Sequence, residues 1–580
     1  MRVQKRIVLS WFLYAILVLT HIPVSIAPNL FDKNIAPQFI TLNLISTIYA
    51  IFIFVKAENY LANKYLFLAT AALLIAVIAS AFLSNNVISA FTGDTGRYAG
   101  VATLICLILV SAYHLNITKD NFLILLRLYL IMPVIQSILG IMQHYEILDF
   151  PGANGFSATL GNEDFFAAYV GVSAPLFILA AIQANKSLRF SLLIGYLICI
   201  YALYEAGPLQ AYVDLALTIL GLLIYKFRKL LPSTAFSLNI RNAIGTLLIV
   251  IWAQVIFLTP FLGSWIPTLG NDLQVKIRGN FWLAGMRQFF EKPIFGVGPD
   301  QYGNYYEQFR TITDAQTYTQ ILSNDAHSAS VQTLATLGLL GTIAFLVLIS
   351  ILIRAILVLW DSERIPRINT FLLSLFFFVY LTNAFVSPMT FPAKFLFWAV
   401  AGWVIGQVYL KQNIRNQISK TQLKLLSGVL ALVILFIGGN FTLAQLRYAT
   451  AYESFIKNPN SKINYTFNPY IPCFMYFDGQ FKMLNSQGLD QLKVLAQTQI
   501  HENPRCVAAH LVLAQVAKAQ NDLPSYKNEI YRLVEIAPAR SQVLNLALEY
   551  ANTYKDYKLL NRLKQIIKEL NLLYVPGAAG

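Results

Sequence analysis

The chain has 580 residues, 57% of them hydrophobic and 12% charged, with a mean hydropathy of +0.57 and a formal net charge of +15. This composition excludes an ordinary soluble globular protein and describes a polytopic membrane protein whose solvent is mostly lipid. The basic excess requires no nucleic acid, because Lys and Arg orient membrane helices.

Apolar runs able to cross about 30 Å of hydrocarbon predict spans near 7–27, 36–55, 65–83, 97–115, 121–144, 164–184, 188–204, 208–227, 242–262, 330–360, 368–386, 392–410 and 424–446. The opening MRVQKRIVLSWFLYAILVLT is read as the first span, since no small-residue cleavage site follows its apolar run. When the loops are assigned alternately to two sides, one set is crowded with basic residues, while the short loops of the other hold only Lys33, Arg97 and Lys394. The N-terminus is therefore expected in the cytoplasm, and an odd number of spans sends the C-terminal region outside.

The expected architecture is all-α: a polytopic integral membrane helical bundle over residues 1–447, followed by an extracytoplasmic helical domain over 448–580. Within the first part, residues 262–329 form a large outer loop. It contains VKIRGNFWLAGMRQFFEKP, where Ile277, Phe281, Ala284, Met286, Phe289 and Phe290 suggest an amphipathic surface helix whose polar face carries Arg278 and Arg287. The glycines and proline of FGVGPDQYGNYY then predict a turn-rich stretch. In the C-terminal part, Asn468-Pro469, Asn503-Pro504 and Ala537-Pro538 recur at 35- and 34-residue spacing before helical patterns, the period of tetratricopeptide repeats.

Cys106, Cys199, Cys473 and Cys506 have no metal-ligand spacing, and the chain contains no Asp-x-Asp pair and no outer His/Cys cluster, so no metal site is expected. Cys473 and Cys506 have the chance to meet in an oxidising compartment. Asp214 and Arg127 are the chief charges placed within predicted spans, and the carboxylate is costly there.

Polar clusters gather on one predicted side: FTGDTGR, NGFSATLGNEDF, EAGPLQ, the Arg278 helix, GVGPDQYGNYY and NDAHS. Such a collection suggests a composite site at the outer membrane boundary. Glu163 and Asp164 read as a helix N-terminal pair.

The ordered set of Arg278 and Trp282, PIFGVGPDQY at Pro293 to Tyr302, and a histidine opening a helix that continues LATLGLLG, His327 to Gly341, resembles the O-antigen ligase and O-antigen polymerase (Wzy_C-type) superfamily of bacterial envelope glycosyltransferases. GDTGRYAG and TLGNEDFFAAYV are similar to earlier motifs of that family, and the resemblance covers roughly residues 60–410. It implies a GT-C-like membrane fold and transfer of a glycan from a polyprenyl-pyrophosphate carrier to a hydroxyl of lipid A core, another glycan or a protein, at the outer face of the cytoplasmic membrane. No cofactor is implied. His327 would be the general base, Arg278 and Arg97 the pyrophosphate ligands with Arg287 beside them, Tyr302, Tyr305 and Tyr306 sugar-stacking rings, and Asp214 a further substrate contact.

Two positions depart from the family pattern. Ser328 follows the histidine where Asn is common, and Leu209 stands where many relatives carry an arginine. The other readings are a protein O-oligosaccharyltransferase of the same superfamily, a transporter or flippase of lipid-linked glycans, and a scaffold whose repeats recruit an envelope-assembly partner. Scarce intramembrane charge and the lack of a G-x-x-x-x-G-K motif weigh against transport, and the His327 loop weighs against an inert anchor.

Overall fold

A computed structural model describes residues 2–19, 32, 35–56, 63–148, 155–227, 273–317, 321–362, 364–409, 419–457 and 489–572. Among them there is no strand. In chain order the helices are α1 (Arg2–Val18), α2 (Ala36–Val55), α3 (Lys64–Phe82), α4 (Val87–Thr92), α5 (Val101–His114), α6 (Lys119–Tyr129), α7 (Ile131–His144), α8 (Glu163–Val172), α9 (Ala174–Ile182), α10 (Lys186–Ala206), α11 (Leu209–Phe227), α12 (Leu273–Glu291), α13 (Tyr302–Phe309), α14 (Ile312–Thr317), α15 (Ala329–Ser362), α16 (Arg367–Ala384), α17 (Phe391–Tyr409), α18 (Lys420–Lys457), α19 (Leu489–Glu502), α20 (Val507–Ala519), α21 (Leu523–Ile536), α22 (Ser541–Thr553) and α23 (Tyr557–Leu572).

Among the described residues ten helices are long and apolar enough to cross a membrane, so the chain is a polytopic helical membrane protein. Of the expected span 7–27 the described part forms the apolar helix Ile7–Val18, with residues 20–27 outside the described residues; the expected 97–115 shortens to Val101–His114, and the span expected at 242–262 lies outside the described residues. The spans expected at 121–144 and 164–184 are each interrupted once, α6 giving way to α7 at Leu130 and α8 to α9 at Ser173, where Pro175 follows. Asparagine starts several of these helices: Asn63, Asn86, Asn162 and Asn185 each accept a backbone N–H of the first turn.

The core lies around α17, which is buried along nearly its whole length against α5 and α15. Helices α3, α10, α11 and α15 instead expose large side chains such as Ile75, Leu197, Ile219 and Leu346, as lipid-facing surfaces do. Some polar groups inside the bundle pair within it: His114 Nε2 meets the Tyr129 hydroxyl at 2.9 Å, and Ser10 meets the Tyr49 hydroxyl at 2.6 Å.

Helices α19 to α23 pack successively on one another, and Tyr526, Leu533, Val543 and Leu559 fill their core together with Ile312 and Ala315 from α14. The α20–α21 and α22–α23 hairpins begin 34 residues apart. Pro504 and Pro538 fall in the turns preceding them, while Asn468-Pro469 and Cys473 lie outside the described residues. Cys506 is disulfide-bonded. Besides α14, contact with the rest of the molecule runs through α13. There Arg505 donates from Nε to the Asn304 carbonyl at 3.0 Å and from Nη2 to Gln308, and stacks on the Tyr305 ring at 3.9 Å; Arg540 pairs with Glu307 at 3.0 Å.

Candidate functional site

The loop PIFGVGP forms a clasp across an interruption in α15. At Gly338 the backbone leaves helical geometry, with φ 61° and ψ −162°. A break of this kind strips helical hydrogen bonds from its neighbours, and the loop replaces them. Val297 and Gly298 donate to the carbonyls of Ala335 and Thr336 at 2.9 and 3.0 Å, while Leu339 and Leu340 donate to those of Pro293 and Ile294 at 2.8 and 3.2 Å. A methyl group at Gly338 would sit 2.4 Å from the Ile294 oxygen, so the position requires glycine twice over, by space and by backbone. The paired stretches PIFGVGP and LATLGLLG are thus explained as structural work that fixes the turn leading into His327.

Asp300 ends the clasp, itself in the left-handed region at φ 56°. One oxygen, Oδ2, accepts the backbone N–H groups of Asp94 and Ala99 at 2.7 and 2.9 Å and so holds both ends of the DTGRYA turn. Burial pushes the Asp300 carboxyl upward, aided by the negative charges of Asp94 and Asp325. Burial likewise raises Asp94 to about 6, against the opposing hydrogen bond from Thr95 and the charge of Arg97. The turn presents Arg97, whose Nε donates to Asn324 Oδ1 at 3.2 Å while Asn324 Nδ2 returns a bond to the Thr95 carbonyl at 2.7 Å. The guanidinium lies 5.3 Å over the Phe165 ring.

Three residues beyond Asn324, His327 also adopts a left-handed backbone, with φ 51°. Its N–H donates to Asp325 Oδ1 at 2.6 Å and its carbonyl accepts the Trp282 indole at 3.4 Å, fixing the turn on both sides. The half-buried imidazole rests against Phe281 at 5.3 Å, and among the described residues neither ring nitrogen has a hydrogen-bond partner. The Ser328 hydroxyl that follows it bonds Ser330 at 3.0 Å. Removal of water lowers the His327 pKa to about 4. The negative charge of Asp325 opposes this shift, while the positive charges of Arg97 and Arg278 reinforce it.

Arg278 projects from α12 and makes a loose ion pair with Asp164, Nη2 to Oδ2 at 3.7 Å. Asp164 stands in the first turn of α8, its own N–H held by Asn162 at 2.8 Å and its carbonyl taking a hydrogen bond from Gln210. Arg97, Arg278 and His327, distant in sequence, therefore meet at one end of the bundle. Asn324, Asp300 and Asp164 position them and were missed from sequence. The signals were an acid closing GVGPD, another opening a helix, and an amide before the histidine, but burial and mutual distance gave them meaning.

The remaining expected residues go elsewhere. Arg278 and Arg287 are nine residues apart, two and a half helical turns, so they leave opposite sides of α12 and share no polar face. Arg287 donates to the Phe309 carbonyl at 2.6 Å, and burial lowers its pKa to about 10. Nor is α12 a one-sided surface helix. Lys276, Ile277, Phe281, Trp282, Ala284 and Gln288 are all buried, against α13 and α15. Tyr302, Tyr305 and Tyr306 are buried too, with the Tyr302 hydroxyl bonded to the Phe281 carbonyl at 2.8 Å and that of Tyr306 to Asp314 at 3.0 Å, which leaves no ring face for a sugar.

Asp214 is fully buried between α8, α11 and α16. It accepts from Asn383 Nδ2 at 2.5 Å and is pressed against Gly171. Leu209 is largely exposed. Among the described residues no three His, Cys, Asp or Glu side chains gather as metal ligands.

No curated protein matches the chain. Residues 167–346 match the family model described as O-antigen ligase, Wzy_C. The matched segment, which is similar to that family, carries Arg278, Asp300 and His327.

Proposed function

We propose that the protein transfers a glycan from a polyprenyl-pyrophosphate carrier to an acceptor hydroxyl at the outer face of the bacterial cytoplasmic membrane, without a metal. Glycan transfer is the general activity that the family supports; the donor, the acceptor and the side of the membrane are this reading's own. The observation that carries it is an imidazole with open nitrogens set between two arginines.

In the reaction the acceptor oxygen forms a bond to the anomeric carbon as the bond from that carbon to the pyrophosphate oxygen breaks. The hydroxyl proton passes to His327, and the carrier leaves as pyrophosphate held by Arg97 and Arg278. Burial is the main cause of the low His327 pKa, and the arginines that reinforce it lose that influence when an anionic donor neutralises them. Donor binding therefore strengthens the base at the moment it is needed.

Lipid A core, a growing glycan or a protein hydroxyl could each accept, and the glycoconjugate missing from a deletion strain identifies which. We read the C-terminal hairpins as an extracytoplasmic tetratricopeptide-like unit that braces α13 and offers its outer surface to an envelope-assembly protein. The disulfide at Cys506 supports the oxidising side.

The decisive test is turnover of purified, monodisperse His327→Ala with a lipid-linked glycan donor. A loss of about a hundredfold to ten-thousandfold, roughly 3 to 5 kcal/mol, with donor binding retained, is the expected result. Near-normal turnover per folded molecule ends the base assignment.

A further inference from the structure

Lys394 lies in the first turn of α17, one of only three basic residues in the short loops on its side of the chain's charge pattern. A lysine at the end of a span ordinarily extends into water or headgroups. Here it turns inward. It is half-buried, with its ammonium 5.3 Å from the Phe391 ring. Phe391 packs on Phe39 at 6.3 Å, and Phe39 stacks on Tyr98 at 5.4 Å, the residue next to Arg97. The ionisable groups around it include Asp300, Asp325 and Arg97, all members of the cluster around His327.

Neither acid neutralises it directly. Asp300 spends Oδ2 on the amides of Asp94 and Ala99, and Asp325 gives Oδ1 to the amide of His327. Among the described residues no acceptor and no carboxylate lies within bonding distance of Lys394 Nζ. Arg97 commits only its Nε, to Asn324, and Arg278 has only the loose Asp164 pair. Three partly buried cations with unspent donors at one end of the bundle repel one another unless a multivalent anion joins them.

We infer that Lys394 is a third ligand of the donor's pyrophosphate, acting with Arg97 and Arg278 on the phosphate oxygens. This rests on the pyrophosphate reading above and names a residue that neither the family match, which ends at residue 346, nor the motifs assign. The shared chemistry is a lipid-borne phosphate, which a bulk phospholipid also carries, so the test separates the two sources. Lysine acts as a point charge, so its contribution belongs to binding and tolerates arginine.

Full-length protein in detergent is titrated with farnesyl pyrophosphate, and phosphatidylglycerol is the competitor. Lys394→Gln is expected to weaken binding about tenfold, with Lys394→Arg restoring most of it. In turnover assays Lys394→Gln raises the KM for donor far more than it lowers kcat. Arg278→Ala weakens binding as well, and Lys186→Gln, exposed on α10, leaves it unchanged.

Wild-type affinity in Lys394→Gln alongside weakened Arg278→Ala overturns the Lys394 assignment alone. Failure of the wild type to bind the probe, or wild-type affinity in Arg278→Ala, overturns the pyrophosphate reading itself. Displacement by phosphatidylglycerol at equal phosphate concentration reassigns the cations to headgroups. Loss in both lysine variants with lowered thermal stability makes Lys394 a packing residue.

Discussion

Replacing Asp300 tests whether the site is assembled by a neutral carboxyl. In the structure one oxygen of Asp300 holds two backbone N–H groups, at 2.7 and 2.9 Å, and burial favours its protonated form. Alanine leaves both donors without an acceptor. Each such loss costs about 1 to 3 kcal/mol, and the half-buried turn puts the pair at about 2 to 4 kcal/mol. The same change frees the DTGRYA turn, so Arg97 loses its fixed relation to Asn324 and turnover should fall on the order of a hundredfold. Asparagine is the informative contrast. Its carboxamide oxygen accepts both N–H groups as the carbonyl of a protonated carboxyl does, so Asp300→Asn should stay within about 1 kcal/mol of wild type.

The pH dependence follows the same logic. A carboxyl raised on folding contributes stability that is complete at acid pH and is lost as pH climbs through the raised value. Wild type should therefore lose thermal stability relative to Asp300→Asn as pH rises from 3.8, the ordinary carboxyl value, to about 8, the raised one. Melting temperature in detergent and turnover with a lipid-linked donor measure both effects. An alanine variant with normal stability and rate, or an asparagine variant as damaged as the alanine, refutes the reasoning.

The acid limb of kcat/KM should have its midpoint near the free-protein value for His327, about 4, while that of kcat should lie at higher pH because bound donor offsets the arginine charges; coincident limbs contradict donor-tuned basicity. Gly338→Ala should destabilise by on the order of 2 to 4 kcal/mol, read as a lower melting temperature, while Gly439→Ala, whose added methyl meets nothing within 4 Å, should not; equal behaviour of the two removes the clasp argument. Single cysteines near Asn324 and Gln520 should react with a membrane-impermeant reagent in intact spheroplasts, and reaction only after lysis reverses the topology.

The spans were legible because a twenty-residue apolar helix is a local property of the sequence, and lipid demands it wherever the chain crosses. The break at Ser173 had a local signal in Pro175, but the break at Gly338 was not legible: glycine permits it, while the carbonyls and amides of Pro293 to Gly298 satisfy the groups it exposes. Of the candidate site, Arg97, Arg278 and His327 were readable as an ordered motif set and do converge. Arg287 misled because a polar face was drawn through two residues nine apart, a spacing that reverses direction on a helix. The tyrosines misled because aromatic residues near an interface look the same whether they face a ligand or a core, and only burial separates the cases. Lys394 had a signal, its isolation among the basic residues, but no local pattern could join position 394 to positions 97 and 325.

The interruption at Gly338 also bears on how the protein meets bilayers of different thickness. In α15 the turns on both sides of Gly338 are bonded to the 293–298 loop, Ala335 and Thr336 on one side and Leu339 and Leu340 on the other. Hydrophobic mismatch is relieved mainly by tilting. A long segment pinned in this way hands its tilt to the loop, and through the loop to Asp300 at its end, so turnover is expected to vary with acyl-chain length.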